Sequence, residues 1–281
     1  MTDIKSLKHI DLASITIMGT AINFIGSLIV VIILLIILAI NTGSINQYAI
    51  ISLLAMVFSV LILSIPEYFG HGYFFNFFAP KLKEINLEIV DMEKITNISV
   101  FPLALLCSII SLLITLIIYP GIWVGISILS PFLQLLANQG GILLVYIAIF
   151  FSNPLIIAYS FLFTFILVAI AASVFNFVSP KIGGLKLKLT QEGDMTQINS
   201  INYLNLALIL GVILAVIGLV IGLILSVIVM NFIAMLSSII YLVLGGFVIG
   251  FILGALLAVF YNFLAPRLGE LKIKLIWSHD L

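Results

Sequence analysis

The sequence predicts an all-α membrane protein, with six transmembrane helices from three two-helix repeats and a small cytoplasmic β-sheet from the short strands between repeats. Three observations predict it. Hydrophobic residues make up 64% of the chain, charged residues only 8%, and mean hydropathy is +1.40, more apolar surface than a soluble chain of 281 residues can hide. One phrase built around a proline occurs three times. All 11 lysines and arginines fall in segments that a two-crossing repeat returns to one side of the membrane.

The apolar runs do not alternate, and about 20 apolar residues suffice to cross the hydrocarbon as a helix with its backbone bonded internally. Helices are expected near 13–40, 49–79, 98–119, 154–179, 204–229 and 237–265. The first run follows Lys5 and Lys8 but is too long for a signal-peptide core, so it reads as a retained helix. A lone Cys107 inside an apolar run excludes an internal disulfide and needs no role beyond packing.

The segments "FNFFAPKLKEINLEI" (75–89), "FNFVSPKIGGLKLKL" (175–189) and "YNFLAPRLGELKIKL" (261–275) align without a gap. A weaker acidic marker, "DLASIT" from Asp11, "DMEKIT" from Asp91 and "DMTQIN" from Asp194, precedes each unit, giving repeats 1–90, 91–190 and 191–281. Pro80, Pro180 and Pro266 cannot continue a helix, and the basic residue after each suits a partly negative helix end, so the pair is expected to stop the helix. Beyond it "INLEI", "LKLKL" and "LKIKL" alternate with period two, as strands do. "IKSLKHI" is a candidate fourth strand, and Glu88 is expected to pair across strands with a lysine.

The stretches near 41–48, 120–152 and 230–236 carry no Lys or Arg, which puts both termini in the cytoplasm and the protein in the cell membrane as a multi-pass chain. The long apolar segment 120–154 reads as interfacial or re-entrant helices, or a lid, with Ser130 before Pro131 and Asn153 before Pro154 as helix starts.

Three sets of residues stand out. Asn76, Asn176 and Asn262 lie in the last turns of the even-numbered helices, each four residues after a small one (Gly72, Ala172, Ala258), as a repeated packing and capping group or a ring lining a pathway. Gly218 and Gly222, and Gly246, Gly250 and Gly254, recur every fourth position and let helices touch at their backbones, within this chain by default. Glu67 is the one acidic residue inside an expected span; His71, one turn on, can share a proton with it, and Pro66 loosens the backbone there.

The opening "IKSLKHIDLASI" and the endings "YNFLAPRLGELKIKL" and "FNFVSPKIGGLKLKL" resemble a two-pass transmembrane domain of unknown function found in actinobacterial and archaeal membrane proteins, here as three tandem copies. That family favours a Gly-Gly pair before its last strand; this chain has Gly183 with Gly184, Gly269 with Glu270, and Lys83 with Glu84. The resemblance implies an architecture and no reaction. Mitochondrial carriers also have three two-helix units, but none of the eight prolines here sits in their Pro-x-acidic-x-x-basic pattern.

No HExxH, GxSxG or Walker A motif is present, and His9, His71 and His279 are scattered, so no catalytic residue, metal site or cofactor is expected. The balanced charge excludes a nucleic-acid surface. The expected partners are membrane lipid, and other membrane proteins or further copies of this chain. A structural or scaffolding role is favoured over a transporter or channel with a pathway among the three repeats, because few polar groups are available to bind a polar substrate.

Overall fold

A computed structural model describes residues 2–42, 47–138, 149, 152–228 and 232–277. Among these, six helices are long and apolar enough to cross a membrane, and six strands form a closed antiparallel barrel. The order is β1 (Thr2–Ile10), α1 (Leu12–Thr42), α2 (Gln47–Phe78), β2 (Ile85–Val90), β3 (Lys94–Ile98), α3 (Val100–Asn138), α4 (Leu155–Val178), β4 (Leu185–Glu192), β5 (Met195–Ile201), α5 (Tyr203–Ile228), α6 (Phe232–Leu268) and β6 (Leu271–Trp277). Strand–helix–helix–strand therefore occurs three times in succession.

Each strand pairs with its neighbour in sequence, and β6 closes on β1 through Leu7↔Leu275 and Ile10↔Ile273. Closure removes both sheet edges, which would otherwise offer unpaired N–H and C=O groups to another chain. Alternation sets the register. Ile85, Leu87, Ile89, Leu187, Thr196 and Ile273 are buried, with Ile89 at 0% exposure, while Lys186, Lys188, Thr190 and Glu192 are exposed.

Two of the six strands were hidden in the acidic markers. "DMEKIT" is a hairpin turn followed by β3: Asp91 and Met92 have φ of 53° and 56°, and Glu93 N–H donates to the Val90 carbonyl. "DMTQIN" likewise turns at Gly193 (φ 62°) into β5. Asp11 is different, since it caps a helix: Ser14 N–H donates to its Oδ2 at 2.7 Å. The counterpart of Asp91 and Asp194 is Asp3, at the start of β1.

Two compact units divide the chain, residues 1–99 with 170–281, and 100–169. The first holds the barrel, α1, α2, α5, α6 and the end of α4. Within it Met18, Tyr261, Leu264 and Ala265 are buried together against Ile198, Ile201 and Leu271, and Phe175, Ile209 and Ile213 against Ile95, Ile98 and Leu185. The apolar sheet face thus runs on into the helices. In the second unit Ser111 and Thr164 hydroxyls bond at 3.0 Å, the Tyr119 hydroxyl donates to the Ser152 carbonyl at 2.7 Å, and Phe101 meets Phe165 edge-on.

The expected break before Pro120 is absent. α3 runs through Pro120 and Pro131 to Asn138, 39 residues or about 58 Å. Ser130 therefore starts no helix. A proline costs one ladder bond, which a long apolar helix absorbs in a membrane setting. Asn153 does cap α4, its Oδ1 accepting from Leu155 N–H at 3.0 Å. The rest of the anticipated re-entrant or lid segment, 139–148 with 150 and 151, lies outside the described residues, as do 43–46 and 229–231 in the other two uncharged stretches.

Candidate functional site

The repeated residues converge where strands become helices. Asn76 Oδ1 accepts from Ile10 N–H and its Nδ2 donates to the Ile10 carbonyl, both at 2.8 Å. Asn176 does the same to Ile98, and Asn262 to Ile201, at the same distances. Ile10, Ile98 and Ile201 are the last residues of β1, β3 and β5. An amide is the one side chain with a donor and an acceptor spaced like those of a peptide group, so it can continue the ladder where the strand ends.

The next residue of each junction is tied as well. Asp11, Ser99 and Asn202 N–H groups donate to the carbonyls of Lys272, Asn86 and Lys186, each at 2.9 Å. Those three acceptors are the aligned second positions of "LKIKL", "INLEI" and "LKLKL". Asn202 Oδ1 also caps α5 by accepting from Asn205 N–H at 3.0 Å, while Ser99 Oγ accepts from Asn86 N–H at 2.7 Å. The same pattern of bonds thus recurs at three places.

Around each clamp the side chains divide alike. The aromatic before the asparagine (Phe75, Phe175, Tyr261) and the small residue before the proline (Ala79, Ser179, Ala265) are buried. The phenylalanine after the asparagine is exposed and lies under the cation after the proline: Lys81 over Phe77 and Lys181 over Phe177 at 3.2 Å, Arg267 over Phe263 at 3.8 Å. An aromatic ring carrying a cation suits a boundary between hydrocarbon and headgroups.

The prolines end the helices by different routes. α2 stops at Phe78 ahead of Pro80, and α4 passes at Pro180 into a 3-10 turn, Ser179–Ile182, closed by Gly183 at φ 83°. α6 continues through Pro266 to Leu268 and stops at Gly269, φ 98°, whose N–H donates to the Ala265 carbonyl at 3.0 Å. A proline in the last turn forfeits one bond only, so Gly269 and not Pro266 is the terminator there.

Glu88 does not meet a lysine. Its carboxylate accepts from Asn97 Nδ2 at 3.3 Å, and a cavity of about 240 Å³ opens beside Ile4, Asn86, Glu88, Asn97, Ile98 and Ser99. The aligned lysines of β6 pair elsewhere: Lys272 with Glu192 at 2.7 Å and Lys274 with Asp194 at 2.6 Å. The Lys272 ammonium holds the Glu192 carboxyl below its ordinary range, Lys274 does so for Asp194, and Glu192 in turn raises Lys272. Close by, Lys8 is ion-paired with Glu84, and the buried Ser6 hydroxyl lies 2.6 Å from Glu84 Oε2 and 2.7 Å from Asn86 Oδ1.

Inside the helical part, Gly218, Gly222, Gly246, Gly250 and Gly254 all lie between α5 and α6 of one chain. A Cβ on Gly246 would stand 2.6 Å from the Leu214 carbonyl oxygen and one on Gly254 2.7 Å from Ala207 Cα, while Gly218 and Gly250 face the Leu242 and Leu210 carbonyls and Gly222 faces Ile239. The anticipated Glu67–His71 pair takes another form. The His71 ring bonds the Glu67 backbone carbonyl at 2.8 Å, and both side chains are exposed on α2.

Sequence reasoning missed a polar seam between α1 and α2. Asn23 Nδ2 donates to Ser64 Oγ at 3.1 Å, and Tyr68 Oη donates to Asn23 Oδ1 at 3.2 Å. The Tyr68 ring lies so close to Gly19 that a Cβ there would sit 2.5 Å from it. Thr16 and Thr20 hydroxyls are buried without a hydrogen-bond partner among the described residues. The signal was available: Thr16, Thr20, Asn23 and Ser27, spaced 4, 3 and 4, fall on one helix face.

Comparison with protein-family models, curated proteins and solved structures finds no match for this chain.

Proposed function

We propose that this multi-pass membrane protein is structural, a scaffold whose three two-helix units, 1–90, 91–190 and 191–281, gather their strands into a barrel at one membrane face. The units are read as three diverged copies of the two-pass domain their motifs resemble. The barrel side is taken as cytoplasmic, because every lysine and arginine belongs to strands, junctions or hairpin turns on that side. Exposed leucines, isoleucines and phenylalanines along the six helices supply the lipid contact.

One observation carries the reading. Asn76, Asn176 and Asn262, the repeated polar groups best placed to line a pathway, each have both amide functions engaged by strand backbone. A group already satisfied on both sides has little left to offer a passing solute. No catalytic residue or cofactor is assigned.

A transporter or channel is the second reading, and the unpartnered Thr16 and Thr20 hydroxyls beside the Asn23–Ser64–Tyr68 seam favour it. Proteoliposomes separate the two. The scaffold reading expects proton, sodium, potassium and chloride fluxes equal to those of empty vesicles, and defined cross-linked partners in native membranes. A flux abolished by Asn23→Leu or Glu67→Gln would replace it with the transport reading.

A further inference from the structure

Glu67 occupies a position that exposed apolar side chains fill elsewhere in the same protein. Counting from the aligned asparagines, Glu67 corresponds to Leu167 and Leu253, which are 41% and 47% exposed. His71 corresponds to Ala171, which packs against the Phe175, Ile209 and Ile213 cluster, and to Leu257, which is exposed. Leu63, one turn before Glu67 on the same face of α2, is also exposed. Both polar residues lie within the apolar span Leu53–Phe78, Glu67 about 14 Å along the helix from Asn76. An ionisable side chain facing hydrocarbon is among the costliest placements a membrane helix can hold, and such residues normally face protein.

The chemistry of this face identifies what covers it. A carbonyl oxygen can only accept, so the 2.8 Å contact from His71 to the Glu67 carbonyl fixes the proton on Nδ1 and leaves Nε2 for a neighbour. One turn away stands the Glu67 carboxyl. Together the face offers an oxygen acid and a nitrogen base that need each other but lie on one helix with the ring turned to its own backbone.

We propose that the exposed face of α2 is an interface between two copies of this chain, in which Glu67 of each copy meets His71 of the other across a two-fold axis along the membrane normal. Two copies inserted in the same orientation have parallel α2 helices, and the residues to be joined differ by one turn, about 6 Å in height. Side chains reaching from helices about 8–10 Å apart span that offset. The axis makes the contact twice, because a self-complementary patch is what an isologous interface requires. Each contact holds one proton between carboxyl and Nε2, so no net charge enters the hydrocarbon. The interface would serve a scaffold or a transporter equally and does not depend on the choice between them.

The test is subunit counting by single-molecule photobleaching of the labelled full chain, reconstituted over a range of lipid dilutions. The wild type should give two-step bleaching, and Glu67→Leu or His71→Leu should weaken dimerisation roughly ten- to hundredfold, as expected from losing two intramembrane hydrogen bonds. The exchanged variant Glu67→His with His71→Glu keeps one acid and one base on each copy and should restore the dimer. Circular dichroism should be unchanged throughout, and melting temperature unchanged at dilutions where the wild type is itself monomeric, because both positions are exposed in the single copy. A wild type that stays monomeric at every dilution, dimers indifferent to the single substitutions, or failure of the exchanged variant would each overturn the proposal.

Discussion

Replacing Asn262 by alanine removes two 2.8 Å hydrogen bonds and leaves the Ile201 N–H and carbonyl without their partners. A net contribution of about 1 kcal/mol per bond sets the floor, and each backbone group stranded away from water adds about 1–3 kcal/mol. Asn262 is half-buried, so water reaches part of the junction, and a total of about 2–5 kcal/mol is expected. At roughly 2–4 °C per kcal/mol for a chain of this size class, the melting temperature should fall by roughly 4–20 °C. Melting followed by circular dichroism, with hydrogen exchange at the Ile201 amide, reads both consequences. Asn262→Asp refines the test, because a carboxylate keeps the acceptor for Ile201 N–H but turns an oxygen towards its carbonyl. Protonation restores a donor, so that variant should recover stability as pH falls, where Asn262→Ala should not. If Asn262→Ala melts like wild type and the Ile201 amide exchanges no faster, the clamp is not what holds strand to helix.

Neighbouring glycines in α6 should part company: Gly246→Ala brings a Cβ to 2.6 Å from the Leu214 carbonyl and should cost about 1–3 kcal/mol in a melting or denaturant series, while Gly245→Ala, with open space around it, should be neutral or slightly stabilising. Gly184→Ala combines φ of 83° with a Cβ only 2.9 Å from Lys94 Cβ, so it should destabilise by about 1–2 kcal/mol or more, and Gly193→Ala, strained but unobstructed, by less. The Glu192–Lys272 and Asp194–Lys274 pairs act through carboxyls whose folded pKa values are lowered. Their support is present above the ordinary values of 4.5 and 3.8 and is lost as pH falls through the depressed folded ones. Lys274→Gln should raise the Asp194 pKa in an NMR titration, and added salt should shrink the difference.

The helices were legible because a membrane span is a compositional feature: length and apolarity are enough, and neighbours hardly enter. Their ends were legible only where a local signal dominates, as at Asn153 and Pro80, and not at Pro266, which the last helix passes to stop at Gly269, nor in α3, where Pro120 and Pro131 are outweighed by an uninterrupted apolar run. β2, β4 and β6 showed themselves by alternation. β3 and β5 did not, because "KITNI" and "MTQINSI" are short and half polar, and their identity rests on hairpin pairing with the strand before each and on hydrogen bonds to a second strand distant in sequence. The asparagines could be picked out by recurrence, yet what they bond is a backbone 61 to 78 residues away, which no local pattern encodes.

That division points to where the fold is specified. Between helices in hydrocarbon there is no hydrophobic drive, since lipid tails are as apolar as the side chains they would leave. α5 and α6 meet this with glycines that let backbones touch, and α1 and α2 with the bonds among Asn23, Ser64 and Tyr68. Neither device fixes which helix end packs on which strand end. The junctions do: each clamp fastens the end of one strand to the last turns of a helix that arrives more than 60 residues later, and the next N–H binds a third strand. Because β1 pairs with both β2 and β6, an error at one junction propagates around a closed ring with no free edge to absorb it. Substituting any one of the three asparagines should therefore loosen the barrel as a whole. Exchange should accelerate at Ile10, Ile98 and Ile201 together in each single variant. Acceleration confined to the substituted junction would mean that the three clamps act independently.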